Sequence, residues 1–213
     1  MNKTQTPLEI EGINGNIYAG FWIRLGSLLL DILIMAPIIF ITLYLNGLDK
    51  NVYYFTLIPV LIFDFWYNIY LVKKHGGTPG KLLSGIKIIK IDGDQIDWKE
   101  AILRDIVTFL LAICYAVITI IALSEANTEY YESLTWITKY QYLVTLAPLL
   151  FSSYTWLSNI WTYSELVVLL FNKRKRSLHD FIAGTVIVRA KYIDQIREAM
   201  NPDVPAKDNP SCP

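Results

Sequence analysis

The chain reads as an all-α membrane protein: a four-transmembrane-helix bundle with a small cytoplasmic β element. Three observations predict this. Of the 213 residues, 54% are hydrophobic and only 18% charged, against about 25% charged in soluble domains, and the mean hydropathy is +0.36. Four apolar segments, at about 21–45, 53–72, 103–123 and 140–171, have the ~20 residues a helix needs to span a bilayer. The connections between them alternate between basic and acidic.

Residues 1–20 form a short N-terminal segment. Lys3 precedes Glu9 and Glu11 with no compact apolar stretch ending in small residues, so the first apolar segment reads as a retained helix. That helix carries Arg24 and Asp31. An Asp near the centre of a span costs about 2.5–3.5 kcal/mol on insertion scales. The two charges are seven residues apart, on one face, about 10.5 Å apart along the axis. Helical side chains lean toward the N-terminus, which carries Arg24 away from Asp31. An in-helix salt bridge is disfavoured; a link through Ser27, water or another helix is left open. Asp31 has three readings: pairing with an arginine of another helix, a proton or cation site, or a water-lined cleft.

The second span carries Asp64, with Asn68 one turn on, and reads first as an interhelical hydrogen-bond patch. Arg104 and Asp105 stand at the start of the third, at the interface. Segment 140–171 is long for one helix; it is either tilted or broken by a turn near Pro148. In it Ser158, Thr162 and Glu165 make a polar stripe. The tail, 191–213, is polar.

Charge sets the orientation. Segment 73–99 holds Lys73, Lys74, Lys81, Lys87, Lys90 and Lys99, and Lys173-Arg174-Lys175-Arg176 follows the last span. The other two loops hold only Lys50 and Lys139, and 124–138 is acidic. By the positive-inside rule the basic segments and both termini are cytoplasmic, in a multi-pass protein of the cell membrane. The run 173–176 reads as an orientation signal that also attracts anionic lipid, not as a nucleic-acid site.

Two basic-side segments mirror each other. Thr78-Pro79-Gly80-Lys81-Leu82-Leu83-Ser84-Gly85-Ile86 aligns without gaps, at a shift of 99, with Ser177-Leu178-His179-Asp180-Phe181-Ile182-Ala183-Gly184-Thr185. Each predicts a short helix capped by Thr78 or Ser177, with Pro79 at the first helical position. Ser177 and Asp180 have the spacing of a capping box. Each helix is stopped by Gly85 or Gly184 and followed by a strand. Asp92-Gly93 is a hairpin-turn signal, and Asp97 with Glu100 caps the third span. With Arg24 and Arg104 near the start of spans one and three, the chain suggests a 2+2 parallel repeat. Lys81 and Asp180 are equivalent in the two copies and opposite in charge, which suggests a pair between them, with His179 alongside.

Arg24 and Asp31, the Thr78-Pro79-Gly80-Lys81 turn with Gly85, and Ser177-Leu178-His179-Asp180 running to Thr185 together resemble the RDD family over about residues 18–190. These are membrane proteins named for one arginine and two aspartates. The resemblance assigns Arg24 and Asp31 to the first two and Asp180 to the third, with Asp64 as the competing candidate. It implies transport of a small solute or ion, with monovalent cation/proton antiport the most concrete form. Asp31 is then the exchange carboxylate. Arg24, Arg104, Asp31, Asp64 and Glu165 carry a surplus of acid if they share a cavity, and that surplus can hold a proton or a cation.

The alternative is a membrane scaffold that docks a partner through its basic face and the helix around Tyr192–Met200. An enzyme is not expected. His75 and Leu82 spoil a phosphate-loop reading of Gly76–Lys81, and zinc-protease and nucleophile-elbow patterns are missing. Cys114 and Cys212 give no disulfide framework. No cofactor or metal is expected. Four spans leave little room for a pathway, which makes a homodimer attractive.

Overall fold

The computed structural model describes residues 5–10 and 15–200. The first helix, α1 (Phe21–Leu48), buries only Ser27 and Asp31, while Leu28, Leu29, Leu33 and Phe40 are all more than half exposed. A helix that hides its polar residues and presents its leucines is matched to an apolar solvent. After a tight turn, α2 (Val52–His75) runs back. It contains a π-helical turn, Trp66–Tyr70, that places Tyr67 and Ile69 in the interior. Such turns are frequent at functional sites.

The short helix α3 (Pro79–Leu83) and strand β1 (Ile86–Lys90) follow. The long α4 (Trp98–Glu125) starts at the expected capping box of Asp97 and Glu100. Among the described residues, the helices α1, α2 and α4 are the three that are long and apolar enough to cross a membrane, at 28, 24 and 28 residues. At 1.5 Å per residue, that is about 36–42 Å.

The acidic connection holds the short helix α5 (Thr128–Ser133). The fourth apolar segment is broken into α6 (Trp136–Leu146) and α7 (Pro148–Phe171) at Ala147, whose φ and ψ are −134° and 55°. Pro148 occupies the first position of α7 and cannot continue the hydrogen-bond ladder of α6. The turn reading of this segment is therefore the one observed. At 24 residues α7 is long enough to span, but its serines, Asn159 and Glu165 leave it more polar than the other three.

The last elements are α8 (Leu178–Ala183), β2 (Thr185–Arg189) and α9 (Ile193–Met200). The strands β1 and β2 pair antiparallel, Ile86 opposite Arg189 and Lys90 opposite Thr185. Asp92-Gly93 turns the chain but closes no local hairpin, because β1 takes its partner from the other mirrored segment. Tyr18 bridges to Val188 on the free edge of β2, and Ala19 donates to the Ile187 carbonyl at 3.0 Å. Ile17, Ile89, Val186, Val188, Ile193 and Ile196 form one core of this polar-end layer. The inner face of α9 is thus already occupied.

The mirrored helices pack in parallel fashion, α3 against α1 and α8 against α4. Both end in a glycine at φ +67°, Gly85 and Gly184, a left-handed position that only glycine adopts cheaply. Their N-termini differ. Ser177 and Asp180 form the expected capping box. Thr78 makes no cap bond, because its hydroxyl is committed to Asp31.

Candidate functional site

Two carboxylates organise the junction between the long helices and the sheet layer. The first is Asp31, 8% exposed. Its Oδ1 accepts from the Tyr67 hydroxyl at 2.6 Å and the Gly80 N–H at 2.7 Å, and its Oδ2 from the Thr78 hydroxyl at 2.6 Å. Lys81 Nζ lies 3.8 Å from Oδ2 and donates to Thr78 Oγ1 at 3.1 Å. Gly80 permits this approach, since a Cβ there would stand 2.7 Å from both Cγ and N of Asp31. The carboxylate at the centre of α1 thus reaches neither Arg24 nor another arginine. It clamps the Thr78–Lys81 turn onto α1, which offsets the cost of burying it.

The second is Asp180, fully buried. Its Oδ2 accepts from Arg24 Nη1 at 2.8 Å and from Ser177 N and Oγ, both at 3.0 Å. Its Oδ1 accepts from Arg104 Nη1. Burial alone would raise this carboxyl, but the guanidiniums of Arg104 and Arg24 outweigh it and hold the group well below the usual carboxylate range. Arg24 also donates to the carbonyls of Ala19, at 3.0 Å, and Lys175. It therefore pins the start of α1 to the loop before α8 instead of snorkelling. Arg104 is 9% exposed, and its Nη1 also reaches Thr185 Oγ1 at 2.8 Å.

His179 joins α7 to this hub. Arg104 Nη2 lies 2.7 Å from Nε2, and a guanidinium can only donate, so Nε2 accepts. The proton is then on Nδ1, 2.5 Å from Glu165 Oε2. Burial, reinforced by Arg104, pushes His179 below its usual range, consistent with a neutral ring. The other oxygen of Glu165 accepts from the His179 backbone N–H at 2.7 Å.

Lys81 and Asp180 therefore do not pair with each other. Lys81 belongs to the Asp31 group and Asp180 to the arginines. Asp64 bonds within its own helix, accepting from Asn68 at 2.7 Å, so it makes no interhelical patch. Arg24, Arg104 and Lys81 stand among Asp31, Asp180 and Glu165, with Asp105 a further acid at the cavity wall.

A cavity of about 220 Å³ lies between these groups, lined by Arg24, Ser27, Thr78, Lys81, Arg104, Asp105 and His179 among others. Asp31 stands one hydrogen bond behind its wall, through Thr78. Lys81 is half-buried there; burial, with Arg104 adding to it, pushes its ammonium down to about 8. Two partners escaped the sequence reading. Tyr67 gave no signal without the π turn that aims it at Asp31. Arg176, read as an orientation charge, donates to the carbonyls of Thr185 and Asp180, both at 2.9 Å, and stacks 4.0 Å above the Phe181 ring.

Among the described residues, no cluster of His, Cys, Asp or Glu could hold a metal ion. The RDD family model matches residues 18–184. The chain is 30% identical over 196 residues to the uncharacterized protein YckC of Bacillus subtilis (strain 168), covering 88% of this chain and 95% of that protein. No solved structure matches. With a family model matching most of its length and a relative 30% identical over 88% of it, the chain belongs to the RDD family of membrane proteins.

Proposed function

We propose that this protein moves a small solute or ion across the membrane, in its most concrete form as a monovalent cation/proton antiporter, with Asp31 as the exchange carboxylate. The observation that carries the reading is a short hydrogen-bonded path. It runs from Lys81 Nζ at the cavity wall to Thr78 Oγ1 at 3.1 Å, and from there to Asp31 Oδ2 at 2.6 Å. A lysine that titrates near 8 sits at one end and a buried carboxylate at the other. Protonation of Asp31 removes the charge that holds Thr78, Gly80 and Lys81, and so loosens the turn from α1.

In this reading α7 is the fourth span, and the α1–α3 and α4–α8 pairings are the two halves of a 2+2 parallel repeat. The basic sheet layer and both termini face the cytoplasm of a cell membrane. Membrane lipid is the surrounding partner, and a homodimer would widen the pathway. No enzymatic activity, cofactor or nucleic acid enters. Purified protein in liposomes, scanned over alkali cations and pH, should show proton-coupled flux that Asp31→Asn abolishes while the variant stays folded. Wild-type-like flux from that variant would sink the proposal.

The second reading, a non-transporting scaffold docking through its basic face, draws on the saturation of the Asp180 hub, which resembles a staple. It needs a stoichiometric partner whose binding is lost when exposed basic residues of the sheet layer are neutralised. Co-purification at background level would count against it.

A further inference from the structure

A second cavity, of about 420 Å³, lies beside β1 and includes no residue of the Asp31 or Asp180 groups. It is lined by Lys73, Lys74 and His75 from the end of α2, Lys87 from β1, and Asp194 and Arg197 from α9. Ile88, Ile89, Ile96 and Ile193 supply its apolar wall. The charges do not cancel. Asp194, the acid in the lining, lies 3.9 Å from Arg197; Lys73 is within electrostatic reach of Asp97, and Lys74 and Lys87 make no salt bridge within 4 Å among the described residues. Lys73 sits 5.6 Å over the Trp98 ring and Lys74 5.7 Å over the Tyr70 ring, contacts that hold the two ammoniums without neutralising them.

We infer that this cavity binds a phosphate-bearing anion. Two elements, α2 and β1, converge lysines on one concave space, with Arg197 of α9 beside its own acid, an excess of cations that suits phosphate oxygens. The volume is that of a small-ligand site. Lys73, Lys74 and His75 form the last turn of a membrane-crossing helix, so the same chemistry suits a lipid headgroup or a soluble phosphate. This site is independent of the transport reading.

The test uses the full-length protein in neutral detergent. Binding of inorganic pyrophosphate is measured by calorimetry, and binding of phosphatidylglycerol in mixed micelles by native mass spectrometry. Both are repeated with Lys74→Gln/Lys87→Gln, with Asp194→Asn, and with Lys99→Gln, which removes a charge outside the cavity. With each pocket lysine worth about fivefold, the double variant should bind roughly thirtyfold more weakly. Asp194→Asn should bind more tightly, a gain that misfolding cannot produce. Lys99→Gln should be unchanged. Saturable pyrophosphate binding assigns a soluble phosphate; binding of the lipid alone assigns a headgroup. If neither binds, or if the double variant binds as the wild type does, the inference is overturned.

Discussion

Replacing Asp180 by Asn should destabilise the protein by about 3–5 kcal/mol, the cost of removing one partner from a buried ion pair. The side chains of Asp180, Arg104 and Arg24 are 0%, 8% and 11% exposed, so water cannot replace the lost charge. An asparagine oxygen in the place of Oδ2 can still accept from Ser177 and Arg24, but the amide nitrogen then meets Arg104 donor to donor. Both arginines also lose the charge that neutralises them, which argues for the upper part of the range. The contacts that Arg104 keeps to Thr185 and His179 moderate it. In detergent, followed by circular dichroism, the midpoint of thermal unfolding should fall by roughly 6–20 °C. The carboxyl is held low in the folded state, so its stabilisation is present above the unfolded value of about 4 and is lost as pH falls through the folded value. The gap between wild type and variant should therefore persist at pH 4 and close only in stronger acid. Adding Arg104→Gln to Asp180→Asn should recover part of the loss, because the damage is an unpaired charge. A single variant within 1 kcal/mol of wild type would refute the hub, as would a double variant that is worse by the full sum.

Gly80→Ala should detach α3 from α1, since the added Cβ collides with the Asp31 backbone and carboxyl. The check is a loss of about 1–3 kcal/mol with faster hydrogen exchange confined to 78–83. Lys81 should acetylate with a pH midpoint near 8, well below the usual lysine range near 10.4. Asp31→Asn should move the Lys81 midpoint lower, because the carboxylate favours the charged ammonium. A shift upward would place the two groups apart.

Much of the architecture was legible because it rests on short-range chemistry. The Asp97–Glu100 and Ser177–Asp180 caps, the Gly85 and Gly184 stops and the strands after them all formed as the sequence predicts. The break at Pro148 followed from a missing N–H. The site was legible in its membership but not in its pairings. Arg24 and Asp31 share a helix face and yet serve different hubs, because the α3 turn inserts against Asp31 while the α8 loop meets Arg24. Which long-range partner wins depends on how the mirrored segments dock, and spacing along the chain does not encode that. Thr78 makes the point locally. Its sequence position is that of a cap, but a buried carboxylate is a stronger acceptor than the backbone is a donor, so the hydroxyl turns to Asp31. The two strands form the small sheet the sequence predicts, but because β1 pairs with β2 after 94 intervening residues, the Asp92-Gly93 turn closes no hairpin.

The most direct measurement of the central claim is cation-induced proton release from the purified protein in weakly buffered detergent solution. Titrating an alkali cation into wild type should release protons saturably. Asp31→Asn, folded by the same thermal criterion, should release none. Release that survives in Asp31→Asn, or a wild type that releases nothing with any alkali cation, would contradict the assignment of Asp31 as the exchange carboxylate.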